Sequence, residues 1–183
     1  HSIPDAMGIA LTTPLGLIIH TGDFKIDHTP ADGVGTDFQA LAKLIDKGVL
    51  LLFSDSTYAE VEGYTASERV VGEALDRAIG DAHGRVMVAT FASLISRIQQ
   101  VIDASQKHGR KVVVVGRSMN NNVKMALKMG YLTTSDGTVI SLAKAAELPN
   151  DKVTIIATGS QGEPTSALVR ISNREHQDIE IID

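Results

Sequence analysis

Cysteine is absent from the 183 residues, which excludes disulfides, thiolate metal sites and cysteine nucleophiles and fits a reducing compartment. Long apolar runs are missing too: none approaches the roughly 20 residues that a membrane-spanning helix needs. The first residues lack the basic, apolar and small-residue pattern of a secretory signal. Acids are absent from one long stretch, the 32 residues between Asp103 and Asp136. That stretch holds Lys107, Arg110, Lys111, Arg117, Lys124 and Lys128, with His108. The net charge of −5 therefore divides into +6 here and −11 elsewhere. The total is not that of a generic nucleic-acid binder. The asymmetry suits either a local phosphate-facing surface or a solvated helix pair on an acidic protein.

What is present reads as ordinary soluble globular sequence, 43% apolar and 21% charged. The length allows one good core or two small lobes. Residues 6–22 predict two strands around Pro14-Leu15-Gly16. Residues 27–35 have loop chemistry, after which Thr36-Asp37 cap an amphipathic helix to about Lys47, with Phe38, Leu41, Leu44 and Ile45 at helical spacing. "GVLLLFSDST" is an apolar strand with a polar end. Thr65 and Glu68 form a capping-box pattern for a helix to about Ile79, with an inner stripe of Val70, Val71, Ala74, Leu75 and Ala78. Three strand-turn-helix units of similar build follow. They are "GRVMVATFAS" with a helix over 93–107, "GRKVVVVGRS" with a helix over 121–129, and "DKVTIIATGSQGEP" leading into the helical "TSALVRIS". "GTVISL" and a short helix near 143–147 precede the last unit, and "QDIEIID" reads as an interrupted strand. Apolar strands alternating with helices predict an α/β fold with a parallel sheet covered on both faces.

Ligands of parallel α/β sheets gather beyond the carboxyl ends of the strands. Here those ends are Thr90-Phe91-Ala92-Ser93, Gly116-Arg117-Ser118 and Thr158-Gly159-Ser160-Gln161-Gly162-Glu163. Ser93 and Ser118 suit helix N-termini, where free N–H groups hold phosphates; Arg117 suits a bidentate phosphate clamp; Phe91 suits stacking on a base. Each has a structural alternative, an N-cap for the serines and a core position for Phe91. Together the three ends predict a polar cleft. By residue type, His1, Asp23 and Asp55 are the candidates for a metal. A zinc site needs at least three protein ligands, however, and no His-x-His or HExxH cluster supplies the rest. His20 reads as a structural, hydrogen-bonding histidine. Ser160 in Gly-Ser-Gln-Gly does not match the nucleophile elbow.

In their order, "HSIPD", "IIHTGDFK", "LFSDST", "VATFAS", "HGRKVVVVGRSM" and "IATGSQGEP" resemble the ribonuclease J family, the RNA-processing beta-CASP branch of the metallo-β-lactamase superfamily. The resemblance covers nearly the whole chain. It implies part of a metallo-β-lactamase αββα lobe over 1–57 and a truncated, Rossmann-like beta-CASP lobe over 58–183. It implies that His1 and Asp23 are metal ligands, Asp23 bridging two zinc ions (manganese or magnesium being alternatives), and that Asp55 is the acid of the first beta-CASP motif. Phe91, Ser93, Arg117, Ser118, Ser160, Gln161 and Gly162 then fall in an RNA- and phosphate-binding lobe. The implied activity is hydrolysis of single-stranded RNA, endonucleolytic and 5′ to 3′ exonucleolytic, by a cytoplasmic, homo-oligomeric protein with no membrane partner. Alternatives are a non-catalytic RNA-binding module and hydrolysis of another phosphodiester such as DNA. The family's His-x-His-x-Asp-His cluster and its later histidines are not in this sequence, Tyr58 stands where asparagine is expected, and Thr165 where methionine is expected. The chain therefore reads as an internal piece of a longer enzyme, inactive alone.

Overall fold

A computed structural model of the chain describes residues 3–46 and 48–179. The chain divides into two compact units, His1–Arg69 and Val70–Asp183. In the first, strands β1 (Ile9–Thr13) and β2 (Gly16–His20) form an antiparallel hairpin. Thr13 closes its turn: the hydroxyl donates to the Gly16 carbonyl at 2.8 Å and accepts from the Leu15 N–H at 3.2 Å. Helix α1 (Phe38–Ile45) is capped by Asp37, whose carboxylate accepts from the Ala40 N–H at 2.9 Å. Strand β3 (Val49–Phe53) then pairs parallel to β2, giving the order β1-β2-β3.

The second unit is a four-stranded sheet of β4 (Val86–Ala89), β5 (Lys111–Val115), β6 (Val139–Ile140) and β7 (Val153–Ala157). Its order is β4-β7-β5-β6, and every pair is parallel. Alternation along the strands feeds two cores. Val112 and Ile156 face one side, with α3 (Ile95–Lys107), α4 (Arg117–Met129) and Ile79 from α2 (Glu68–Asp81). Val113, Val115, Val153, Ile155 and Ala157 face the other, with Ala145 of α5 (Leu142–Ala146) and Ala167 and Ile171 of α6 (Ala167–Ser172). Full burial of each such Ile or Val side chain is worth about 1.5–3 kcal/mol, so β7, buried at all five residues, anchors both layers.

The expected cover on both faces holds for this sheet and not for β3. All five β3 residues are exposed, at 41 to 57%, and Phe38 and Leu41 of α1 are exposed as well. Among the described residues Leu17 is the buried apolar residue of the first unit. The start of α4 and the inward face of α2 also differ from the sequence expectation. α4 begins four residues early, because Gly116, at φ 103°, makes the turn directly after β5. Asn120 donates its amide to the Val114 and Gly116 carbonyls. In α2, Val71, Leu75 and Ile79 turn inward while Val70, Ala74 and Ala78 stay exposed. The final strand falls largely on residues 180–183, outside the described residues.

Arg110 ties the base of the sheet together. It is 4% exposed, and its guanidinium donates to the carbonyls of Ala82, Gly84 and Val153. Those carbonyls lie past the last turn of α2 and at the start of β7, so a fixed cation here also suits the negative end of the helix dipole. Within β7 itself one polar group goes unmatched: the Thr154 hydroxyl has no hydrogen-bond partner among the described residues. Thr154→Val removes it at nearly constant shape. The substitution should raise unfolding stability by about 1 kcal/mol, read as a higher urea midpoint at unchanged slope; an unchanged or lower midpoint would show that the hydroxyl is satisfied in solution.

Candidate functional site

The first unit brings two acids to one edge of its sheet. β2 and β3 are parallel neighbours, so the loops that leave their carboxyl ends start side by side. The Thr21 N–H donates to the Phe53 carbonyl at 3.0 Å, and the Asp55 N–H donates to the Thr21 hydroxyl at 3.0 Å. Asp23 and Asp55 therefore sit on two laced loops. His20 Nδ1 accepts from the Gly22 N–H at 3.0 Å, and its ring stacks on Phe53. Gly22 is required here, because at φ 63° a Cβ would meet the Met7 carbonyl oxygen at 2.7 Å.

Asp55 is held ionised. The Thr57 hydroxyl and N–H donate to it at 2.7 and 3.0 Å, and with the Phe24 N–H they keep its carboxyl below the usual carboxylate range. Asp23 is exposed. Carboxylate oxygens suit a hard or borderline divalent cation, so the chemistry of this pair fits a metal. The number does not: among the described residues no three His, Asp or Glu side chains converge, and His1 lies outside the described residues.

Just beyond Asp23 the same loop is pinned by a polar lock that the sequence pattern hides. Lys25 Nζ meets Glu68 Oε1 at 3.0 Å and Asp27 Oδ2 at 3.9 Å, with the three side chains 17, 9 and 8% exposed. Asp27 Oδ2 accepts from the Glu68 N–H at 2.8 Å, Asp27 Oδ1 accepts from the Thr29 N–H at 2.9 Å, and Ser67 donates to the Thr29 carbonyl at 2.8 Å. The capping box expected from Thr65 and Glu68 is thus replaced: Glu68 opens α2 and pairs with Lys25, Ser67 Oγ accepts from the Arg69 N–H at 3.2 Å, and a carboxylate 41 residues earlier takes the Glu68 N–H. Burial alone would raise the Asp27 carboxyl. The hydrogen bonds from Glu68, Thr29 and Ser67 and the Lys25 charge outweigh it and hold the group below its ordinary value.

In the second unit the strand ends do converge. A cleft of about 280 Å³ is lined by Thr90, Phe91, Ala92, Ser118, Thr158, Gly159, Glu163, Thr165 and Ser166, from the ends of β4, β5 and β7. Of the seven residues expected to contact RNA, Phe91 and Ser118 line it. Ser93, Arg117, Ser160, Gln161 and Gly162 are exposed and not among the lining residues. Neither Ser93 nor Ser118 caps a helix; Leu94 and Gly116 occupy those positions. At this cleft the capping hydroxyls are Ser166, which accepts from the Val169 N–H, and Thr158, which accepts from the Ala167 N–H. Gly159, at φ 119°, keeps the turn tight, since a Cβ would fall 2.5 Å from Ser166 Oγ. Glu163 is the residue that sequence pattern has least reason to isolate: its Oε2 is buried without a hydrogen-bond partner among the described residues.

The acid-free segment separates into spent and available charge. Lys107 and His108 both meet Asp76, at 2.6 and 2.9 Å, and Arg110 is buried. Arg117, Lys124 and Lys128 remain exposed and make no ion pair among the described residues. At i, i+7 and i+11 they share one face of α4.

The mixed α/β architecture with its parallel sheet is consistent with a beta-CASP domain of the metallo-β-lactamase superfamily. The family model described as "Ribonuclease J, beta-CASP domain" matches residues 83–183, and the chain belongs to that family. Relatives named Ribonuclease J include those of Synechocystis sp., 51% identical over 181 residues, and Thermus thermophilus, 50% identical over 176 residues. The alignments cover 99 and 96% of this chain but only 28 and 30% of those proteins; against the relative from Corynebacterium glutamicum, 48% identical, the shares are 100 and 26%. The chain thus spans under a third of the length of these curated relatives. No described helix is long and apolar enough to cross a membrane.

The polar lock makes the first unit sensitive to acid. A carboxyl whose folded pKa is depressed contributes stability that is complete above its unfolded value of about 3.9 and is lost as pH falls through the lower folded value. Asp27→Ala should weaken protection of the Glu68 N–H from hydrogen exchange at neutral pH, and Asp27→Asn, which keeps an acceptor but no charge, should remove its dependence on pH below about 4. Unchanged protection in Asp27→Ala would show that Asp27 does not hold the Glu68 N–H.

Proposed function

We propose that the protein of which this chain is a part hydrolyses backbone phosphodiesters of RNA, with Asp23 as a metal-bridging carboxylate and the second unit as the strand-holding lobe. The observation that carries this reading is the pair of acids on laced loops at the ends of β2 and β3, in a chain of the ribonuclease J family. His1 is proposed to complete the ligand set with residues that this sequence does not include. Zinc is the proposed ion, manganese or magnesium being alternatives with carboxylate ligands. Such ions, when bound, lower the pKa of a water and neutralise charge on phosphate.

The chain's own residues supply positioning. Asp55 stays anionic, held by Thr57 and Phe24, which suits orienting a ligand or receiving a proton more than donating one. Thr21 locks the two loops together, so that the two carboxylates keep their spacing. The exposed cations of α4 suit the phosphates of a bound strand. In this reading residues 1–57 belong to the lactamase lobe and 58–183 to the beta-CASP lobe, and the chain by itself holds metal weakly and does not cut RNA.

The test is metal content and RNA cleavage in the whole protein and in this chain, each with and without Asp23→Ala. The expected result is about two metal ions and cleavage in the whole protein, a fall of about 10²-fold or more with Asp23→Ala, and no cleavage by the chain alone. Retention of metal and activity without Asp23 overturns the bridging role; RNA binding without any metal or cleavage in the whole protein favours a non-catalytic binding module instead.

A further inference from the structure

From the strand-end cleft we infer that Glu163 reads a ribose 2′-hydroxyl, so that the cleft is a ribonucleoside subsite and not a phosphate subsite. The inference deepens the RNA-binding reading above and rests on it. It starts from the lining: five hydroxyl residues (Thr90, Ser118, Thr158, Thr165 and Ser166), one aromatic ring, one carboxylate and no cation. An ionised carboxylate only accepts hydrogen bonds, and phosphate oxygens of an RNA diester accept as well. Glu163 therefore repels a phosphate by both charge and chemistry, whereas a sugar hydroxyl offers it a donor.

Two features fit this assignment further. Glu163 Oε2 is buried with no partner among the described residues, and an unmatched buried polar atom is costly unless a ligand satisfies it. Its backbone is fixed at the cleft, because the Glu163 carbonyl accepts from the Ser166 N–H at 2.9 Å directly before α6. Phe91 is 46% exposed at the same cleft, an aromatic face on which a base can stack without sequence preference. Two of the hydroxyls are already engaged as helix caps, Thr158 toward the Ala167 N–H and Ser166 toward the Val169 N–H. That leaves Glu163 the strongest acceptor in the cleft. Phosphate contact then belongs to the exposed face of α4, where Arg117, Lys124 and Lys128 lie in line. The cleft and the cationic face thus divide one nucleotide strand between them, sugar and base to the first and backbone charge to the second.

The experiment titrates the 183-residue chain with the uridine tetranucleotide and with its 2′-deoxy counterpart, following backbone amide signals of residues 90–92, 118 and 158–166. Uracil is common to both probes, so any difference reports the 2′-hydroxyl. The ribo form should bind about tenfold more tightly, as one hydrogen bond to a charged acceptor allows. Glu163→Ala should bring the ratio close to one while leaving deoxy binding equal or stronger, and Glu163→Gln, which keeps a neutral acceptor, should keep part of the preference. An unchanged spectrum away from the cleft verifies that the variants fold. Equal affinity of the two probes for the unsubstituted chain overturns the sugar-reading role and leaves an RNA site in place. Probes that shift none of the cleft residues overturn both the subsite and the placement of RNA at it.

Discussion

Strand β7 is the element on which the second unit depends. It lies between β4 and β5, hydrogen-bonds to both and sends successive side chains into two different cores. A strand buried on both faces tolerates no register slip, because a shift of one residue would exchange the two faces. Register in turn sets where each strand ends. Thr90, Ser118 and Thr158 meet around one cleft because β4, β5 and β7 are aligned at their carboxyl ends; Ala89 and Val115 both pair with Ala157. The apolar middle of the sheet thus determines the position of polar groups that never touch it.

The two units solve the same problem by different means. Both deliver functional side chains on loops at the ends of parallel strands, the general location of ligand sites in such sheets. In the second unit the loops are fixed from below by packing and by helix caps. In the first, where little is buried, they are fixed laterally by hydrogen bonds: Thr21 to Phe53 and Asp55, Asp27 to Glu68, Lys25 to both acids. Such polar ties are directional and specific, but each contributes modestly to stability once competition with water is counted.

The alternation of β-branched runs with helical periods is readable from the residues alone, since "VMVA", "VVVV" and "TIIA" sit in strands where their pattern puts them. So is the fold class, and so are Asp23 and Asp55 as strand-end acids. What escapes are relations across distance. Thr65 and Glu68 have capping-box spacing, yet the first N–H groups of α2 go to Ser67 and to Asp27, the second of which no local window contains. Ser93 and Ser118 look like caps, yet Leu94 and Gly116 hold those positions because the turns fall one or two residues away from where spacing suggests. Glu163 closes the "IATGSQGEP" turn region, but only burial of its Oε2 distinguishes it from any surface glutamate. The six-cation segment looks uniform; pairing with Asp76 and the burial of Arg110 leave the face of α4 as its principal available charge.

The exposure of β3 has a practical side. Val49-Leu50-Leu51-Leu52-Phe53 is an edge strand of its sheet with no charge, proline or glycine, a composition that favours pairing with copies of itself. The chain in isolation should therefore have a low solubility ceiling, set by this strand and not by its net charge. Lysine at the outward positions of β3 is a route to concentrated samples, because the backbone bonds that frame the Asp55 loop run along the opposite, β2-facing edge.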